Sequence, residues 1–317
     1  MSEYDIIVIG GGPAGLTAGL YTSRAKLKTL LLEKLAPGGR AALAWKIENY
    51  PGFPDGIDGP ELMERIGKQA EKYGLEIKSE EVLEIELSAK DKAPVGGLEK
   101  LVKTRKGEYR SIALIVATGT RAKKLGVAGE EKLIGRGVSY CATCDGPLFK
   151  DQKVVVVGGG DVAVEEAIFL SRFVEKATLI HRRRELRATK TMCERALSDP
   201  KLEFILNSQV IEILGETAVQ GVKVRNLETE KDSIVEAKGI FVCIGTVPNS
   251  GFLRGVVEMD KEGFVITDEN METSLSGVYA CGDVRKKFLR QVVTACGDGA
   301  TAASAAGQCV RKWKYEK

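Results

Sequence analysis

Histidine is nearly absent from this chain: His181 is the only one among 317 residues. A zinc site needs four ligands, and one histidine with a single CxxC pair does not supply them. Met1 is followed by no basic-then-apolar leader, and no apolar run approaches the roughly 20 residues that span a bilayer. Charge of one sign is also missing. The net charge is +3 with acids and bases mixed along the chain, so there is neither the basic stripe of a nucleic-acid binder nor a charged tail suited to a membrane. Low-complexity tracts and long linkers are lacking too. The expectation is a soluble, cytoplasmic protein with no nucleic-acid and no membrane partner.

What the chain does have is length and apolar content. At 317 residues and 44% hydrophobic it exceeds the usual size of one core, so two domains are expected, with room to bury a large cofactor. Seven cysteines at scattered spacings do not make a secreted disulfide framework. One close pair, Cys141 and Cys144, stands apart from the other five. Those five, Cys193, Cys243, Cys281, Cys296 and Cys309, sit in apolar stretches and read first as small core residues.

The chain writes one sentence twice. Asp5 to Ile9 is a short apolar run, followed by Gly10, Gly11, Gly12, Pro13, Ala14 and Gly15, an amphipathic stretch to about Ala25, and a second apolar run from Thr29 to Leu32 ending at Glu33. This pattern predicts strand, tight turn, helix, strand, with Pro13 in the first helical turn, where its missing N–H costs nothing. It recurs as Val154 to Val157, Gly158 to Ala163, a helix to about Phe173, and Ala177 to Ile180. Gly10, Gly12 and Gly15 are thus answered by Gly158, Gly160 and Ala163, with Asp161 opening the second helix. Two βαβ dinucleotide sites in one chain are expected. Elsewhere the pattern predicts a helix over Pro60 to Tyr73, strands over Glu81 to Leu87, Arg110 to Val116 and Gly239 to Ile244, a loop at Lys90 to Gly97, and a long small-residue helix from Gln291 to Trp313.

The end of the second strand of each unit decides which dinucleotide it takes. Glu33 can accept hydrogen bonds from ribose hydroxyls, so the first site suits an unphosphorylated adenosine such as that of FAD or NAD. Its counterpart is His181, followed by Arg182, Arg183 and Arg184, with Arg187 close behind. Such a cluster attracts a 2′-phosphate, which points to NADP(H). A solvated basic face is the alternative reading; nucleic-acid binding is disfavoured because no aromatic residues interleave with the arginines.

Cys141-Ala142-Thr143-Cys144 is followed by Asp145 and Gly146. Two cysteines at this spacing can close a small-ring disulfide, and a helix N-terminus would lower the pKa of an attacking thiolate. Reducing a disulfide substrate leaves a thiolate to be protonated. With His181 committed to the arginine cluster, Asp145 is the candidate acid, its pKa expected to be raised by burial; a helix-cap role is the alternative, and the two can coexist.

With these residues in view, the chain resembles the low-molecular-weight thioredoxin reductases over almost its full length. The resemblance rests on Gly10 to Gly15, Glu48 to Pro54, Ala117-Thr118-Gly119, Gly135 to Ser139 leading into Cys141 to Gly146, Gly158 to Ala163, His181 to Ala188, Gly245 to Asn249, Val278 to Val284 and Arg290-Gln291. It implies an α/β fold of two Rossmann-like three-layer domains, the NADPH domain (residues 121–247, with the CxxC) inserted in an FAD domain made of residues 1–120 and 248–317. It further implies a homodimer that reduces thioredoxin or a related small redox protein. FAD would be held by the first loop, Asn49, the Ala117 to Gly119 segment, Gly282 and Asp283 near the ribityl and phosphate portion, and Arg290 and Gln291 near the isoalloxazine. Crossovers near Ala117 to Thr120 and Gly245 to Asn249 would act as hinges, with Cys144 facing the flavin and Cys141 attacking the substrate.

The chain departs from the family pattern at Gly38-Gly39-Arg40-Ala41-Ala42-Leu43-Ala44-Trp45, where a glutamine and a run of threonines are usual, and at Cys281 and Cys296, where small non-thiol residues are usual. Two other readings follow from the same features: the flavoprotein component of a peroxide-reducing system, which normally carries an extra N-terminal thiol domain, and a flavin-binding protein without disulfide turnover.

Overall fold

The computed structural model describes residues 3–44, 47–88 and 99–315; Trp45 and the expected loop at Lys90 to Gly97 lie outside them. In chain order the elements are β1 (Tyr4–Ile9), α1 (Pro13–Arg24), β2 (Thr29–Glu33), α2 (Gly59–Lys72), β3 (Glu76–Ser79), β4 (Val82–Ser88), β5 (Glu99–Thr104), β6 (Glu108–Val116) and β7 (Thr120–Ala122). There follow α3 (Glu130–Leu133), β8 (Val138–Ser139), α4 (Ala142–Asp145), β9 (Lys153–Gly158), α5 (Asp161–Leu170), β10 (Lys176–Ile180), α6 (Lys190–Leu197), β11 (Leu202–Ile205), β12 (Ser208–Leu214), β13 (Gly221–Asn226), β14 (Asp232–Glu236), β15 (Gly239–Cys243) and β16 (Thr246–Pro248). The chain closes with β17 (Val278–Ala280) and α7 (Val292–Tyr315). It divides into two compact units, Met1–Arg121 with Val247–Lys317, and Ala122–Thr246.

In the first unit the strand order is β3-β2-β1-β6-β5-β4, with β17 also paired to β6. β1 lies parallel between β2 and β6, and Ile6, Ile7 and Val8 are fully buried. A strand covered on both faces reads as a continuous apolar run rather than an alternation, which is why Tyr4 to Ile9 looks as it does. Ile6 and Val8 pack with α1, α2 and α7, while Ile7 and Ile9 join Leu30, Leu114 and Val278 on the other face. β6 makes this seven-stranded sheet mixed: its first residues pair antiparallel with β5, and from Ser111 onward it pairs parallel with β1, then with β17. The small residues of α7 have a packing reason, since a Cβ on Gly299 would run into the Ala14 carbonyl of α1.

The second unit carries a five-stranded parallel sheet, β11-β10-β9-β15-β8. Phe241, Val154 and Val156 face the helical side with Ala142, Val164 and Leu170. Val155, Val157 and Ile240 face Val210, Ile213, Val222 and Val224 of the antiparallel sheet β12-β13-β14. That three-stranded layer has no counterpart in the sequence reading. The helix expected to reach Phe173 stops at Leu170, where Ser171 turns its hydroxyl back to the Ile168 carbonyl at 2.9 Å and donates to Asp199.

The two crossings of the chain, β7 and β16, form a two-stranded sheet of their own. Just before it, Thr118 Oγ1 donates to the Asn249 carbonyl at 2.8 Å and Asn249 Nδ2 donates to the Thr118 carbonyl at 3.0 Å.

Candidate active site

In the first unit β1 ends at Ile9 and the chain turns at Gly10, whose φ of +105° falls in the region that favours glycine. A Cβ there would stand 2.5 Å from the Ala117 carbonyl oxygen and 3.0 Å from Thr118 Cα, so Gly10, Ala117 and Thr118 are brought together. Gly15 is as constrained, because its Cβ would enter the Gly10 carbonyl. Gly12 is different. It caps α1 ahead of Pro13 with a φ of −75°, and a Cβ on it would meet only Gly39 Cα at 3.9 Å. The space above Gly12 is therefore open, at a helix N-terminus, where backbone N–H groups and the helix dipole favour an anion.

Glu33 closes the other side of this loop. Its Oε2 accepts the Gly11 N–H at 2.7 Å and its Oε1 the Leu35 N–H at 3.2 Å, which aims the carboxylate at the glycine turn. Just after β17, the Gly282 N–H donates to Asp298 Oδ2 in the second turn of α7 at 3.1 Å, and Asp298 also receives Lys287 at 2.7 Å and Arg285 at 3.4 Å. Gly282 lies directly on Ala14, since its Cβ would come 2.8 Å from that methyl. Asp283 beside it is half-buried, and its Oδ1, which is buried, has no hydrogen-bond partner among the described residues. Burial pushes its carboxyl pKa up, while Lys287, Arg290 and Arg40 pull it down without cancelling that effect. A buried, unpaired acceptor is costly, and a hydroxyl-bearing ligand would satisfy it. Asn49 Nδ2 donates to Gln291 Oε1 at 3.0 Å, and the Arg290 guanidinium lies 4.2 Å from the Phe264 ring centre. Gly119 leads into the crossing and accepts the Asn249 N–H through its carbonyl. An open, donor-lined loop, a carboxylate held against the glycine turn and an orphaned acid together fit FAD.

The departures from the family pattern have defined surroundings. Arg40 lies in a short 3-10 helix, Gly39–Leu43, and reaches Thr120 Oγ1 at 3.4 Å. Cys281 is fully buried, and burial drives its thiol pKa well above the ordinary value. Cys296 is half-buried, 3.9 Å from both the Tyr50 hydroxyl and the Pro13 carbonyl, and burial together with that thiol pushes the Tyr50 pKa up to about 12.

The second unit repeats the loop on its own terms. Gly158 turns at a φ of +155°, and its Cβ would collide with the Cys243 carbonyl and come 2.6 Å from Ala163. Nothing lies within 4 Å of the Cβ position at Gly160, so here too the helix N-terminus is open. Asp161 Oδ1 accepts the Thr189 N–H at 2.7 Å, and the Arg187 N–H donates to the Gly159 carbonyl at 2.6 Å. Those two bonds fold the arginine segment back onto the glycine loop. His181 is buried against Gly159, with Nε2 unpartnered among the described residues. Burial lowers its pKa, and Arg187, Arg183 and Arg182 lower it further, which favours a neutral ring. Arg184 is spoken for by Glu228 at 2.6 Å, whereas Arg182, Arg183 and Arg187 are exposed and form no salt bridge among the described residues. Three unpaired guanidinium groups beside an open helix N-terminus fit the 2′-phosphate of NADPH.

Cys141 and Cys144 form a disulfide, with Cα atoms 5.4 Å apart. The pair sits where β8 gives way to α4: Ser139 Oγ accepts the Cys141 N–H at 3.1 Å and donates to its carbonyl at 3.2 Å, while buried Ala142 anchors the turn. Cys141 is the N-cap of α4, and its sulfur accepts the Cys144 N–H at 3.2 Å. Cys141 is half-buried, Cys144 exposed and Asp145 half-buried. Asp145 makes no side-chain capping bond to the 3-10 turn that follows it, so the capping alternative finds no support here.

Sequence reasoning missed Asp298, Ser139, the Thr118–Asn249 clamp, and a contact of 2.7 Å between Cys243 Sγ and Glu166 Oε2. Asp298 had a signal, being the one carboxylate inside the small-residue helix α7. Among the described residues no group of histidine, cysteine and acidic side chains could hold a metal ion, and no helix is long and apolar enough to cross a membrane.

Comparison with known proteins agrees with this geometry. Residues 4–299 match the family model of the pyridine nucleotide-disulphide oxidoreductases. The thioredoxin reductase of Peptoclostridium acidaminophilum is 44% identical over 313 residues, 97% of each chain. That of Bacillus subtilis (strain 168) is 45% identical over 308 residues, covering 96% of this chain and 94% of the relative. The solved structure of Lactococcus lactis thioredoxin reductase in its FR conformation matches with a TM-score of 0.93 at 41% identity, over 98% of this chain and 100% of the other. The chain belongs to the pyridine nucleotide-disulphide oxidoreductases, within their thioredoxin reductase branch.

Proposed function

We propose that this chain is an NADPH-dependent disulfide reductase that passes electrons through FAD and the Cys141/Cys144 dithiol to the disulfide of thioredoxin or a similar small redox protein. The observation that carries this reading is the Cys141–Cys144 disulfide, held in the same compact unit as a glycine loop backed by three unpaired arginines. In this reading residues 1–120 and 248–317 form the FAD domain, residues 121–247 the NADPH domain, and the protein works as a cytoplasmic homodimer.

A bound FAD supplies two-electron transfer between nicotinamide and disulfide. The chain's own residues do the rest. Gly10 and Gly15 allow the tight turn that brings Pro13 and Ala14 into place, Gly12 would leave room for the pyrophosphate, Glu33 would take the ribose, and Asp283, Asn49, Gly282, Ala117, Thr118, Gly119, Arg290 and Gln291 would line the remainder of FAD. Gly158, Gly160 and Asp161 shape the NADPH loop, with His181, Arg182, Arg183 and Arg187 on the 2′-phosphate.

Reduction breaks the Cys141–Cys144 bond. Cys141 then attacks one sulfur of the partner disulfide as a thiolate, its charge supported by the Cys144 N–H. A mixed disulfide forms, and the partner's other sulfur leaves and takes a proton, a role assigned to Asp145. Cys144 next attacks Cys141, releasing the second partner sulfur, which is protonated in turn as the internal disulfide closes again. Stopped-flow mixing with NADPH and oxidised thioredoxin tests the scheme: in Cys141→Ser the flavin should still bleach while thioredoxin reduction is lost. A variant that reduces thioredoxin as fast as wild type would overturn it.

A further inference from the structure

Cys243 has no part in that cycle, yet it ends the strand that neighbours the one leading into the redox pair. β15 lies between β9 and β8, all parallel, and Phe241 pairs with Ser139. Two residues beyond that pairing Cys243 ends β15, while the neighbouring strand gives way to a bend at Tyr140 before Cys141, whose own backbone is extended, with φ −149° and ψ 100°. Alternate residues of a strand share a face. Phe241 packs its ring on Phe149, with centroids 5.5 Å apart, and Cys243 packs against the same core that holds Ala142 of α4. Cys243 therefore faces the layer in which the redox disulfide is built. Its sulfur lies 2.7 Å from Glu166 Oε2 of α5, an acceptor that holds the thiol proton.

We propose that Cys243 is a third exchanging thiol of the redox centre, able to take Cys141 into an alternative Cys141–Cys243 disulfide. The proposal rests on the reading of Cys141 and Cys144 as the redox pair. The Cys243 sulfur attacks Cys141 Sγ, the Cys141–Cys144 bond breaks as the new bond forms, and the proton that Cys243 shared with Glu166 ends on the departing Cys144 sulfur. No oxidant or reductant is consumed, and Cys144 is left as a free thiol.

The test uses the full-length holoprotein carrying Cys144→Ser, which deprives Cys141 of its usual partner. Reduced protein is oxidised with diamide, which takes up the two thiol hydrogens, then alkylated and cut with trypsin. The expected product joins the peptide of residues 137–150 to that of residues 239–254, and it falls to background when Cys243→Ala is added. Recovery of Cys243 as an alkylated thiol, with Cys141 blocked by reagent or joined elsewhere, overturns the proposal. If Cys144→Ser loses its flavin or its fold, the same mapping is made on wild type equilibrated in glutathione buffers, where a minor 141–243 link is expected and its absence overturns the idea. Neither readout needs NADPH or thioredoxin, so failure here is separable from failure of the proposed activity.

Discussion

Replacing Arg182 and Arg183 together by alanine isolates the second nucleotide site. Both guanidinium groups are exposed and form no salt bridge among the described residues, while the adjacent Arg184 is paired with Glu228. A charge-assisted hydrogen bond to phosphate contributes about 1.5–3 kcal/mol, and exposure to solvent lowers this, leaving about 2 kcal/mol for the two together. That converts to a rise of about thirtyfold in the Michaelis constant for NADPH. NADH lacks the 2′-phosphate, so its constant should stay within about twofold of wild type. Arg184→Ala is the internal control and should leave both cofactors nearly unchanged, because its charge is already neutralised. Steady-state kinetics with each cofactor, on proteins of matched flavin content, decides the matter. A change of less than threefold for NADPH would mean that the cluster is a solvated basic face, and equal losses for NADPH and NADH would mean damage to the glycine loop.

Other perturbations follow from the same geometry. Gly12→Ala should fold like wild type, since the added methyl meets only Gly39 Cα at 3.9 Å, but should purify with little or no FAD because that methyl fills the space above the helix N-terminus; a yellow variant would contradict this. Asp298→Asn should cost about 3–5 kcal/mol, because it leaves the nearly buried Lys287 and Arg285 without their counter-charge, and a urea melt that matches wild type would refute it. Lys100 is fully buried, and burial lowers its pKa below the ordinary value of 10.5. The unfolded chain therefore binds the extra proton in the window between the two values, so wild-type stability should rise with pH across it, and Lys100→Met should flatten that rise. Parallel pH-dependent slopes for the two proteins would show that the burial argument fails.

Local patterns were legible because both glycine loops are written in contiguous residues. Gly10 to Gly15 and Gly158 to Ala163 each declare a turn and a helix start, and the residue closing the following strand declares the ribose partner. The CxxC pair is equally local. By contrast β12, β13 and β14 are short strands with mixed burial, and their identity comes from covering one face of the parallel sheet, a tertiary fact. Asp298 is visible as an odd carboxylate in α7, but its partners Gly282, Arg285 and Lys287 are assigned only when the helix docks. The approach of Cys243 to Glu166 and to the strand that precedes Cys141 depends on which strands become neighbours, and no spacing along the chain encodes that order.

The pairing of β7 with β16 has a consequence for modularity. Lys123 donates its N–H to the Gly245 carbonyl at 2.9 Å on one side of the seam, and Thr118 and Asn249 exchange hydrogen bonds on the other. An insert whose entry and exit are zipped together keeps its two ends adjacent, so cutting at the seam leaves neither fragment with a distant terminus to close. Residues 122–246 are thus suited to life as an excised, free-standing piece, and the host to being rejoined by a minimal linker. On the proposed reading of this insert as the NADPH domain, swapping such a cassette between related proteins should exchange the pyridine-nucleotide preference.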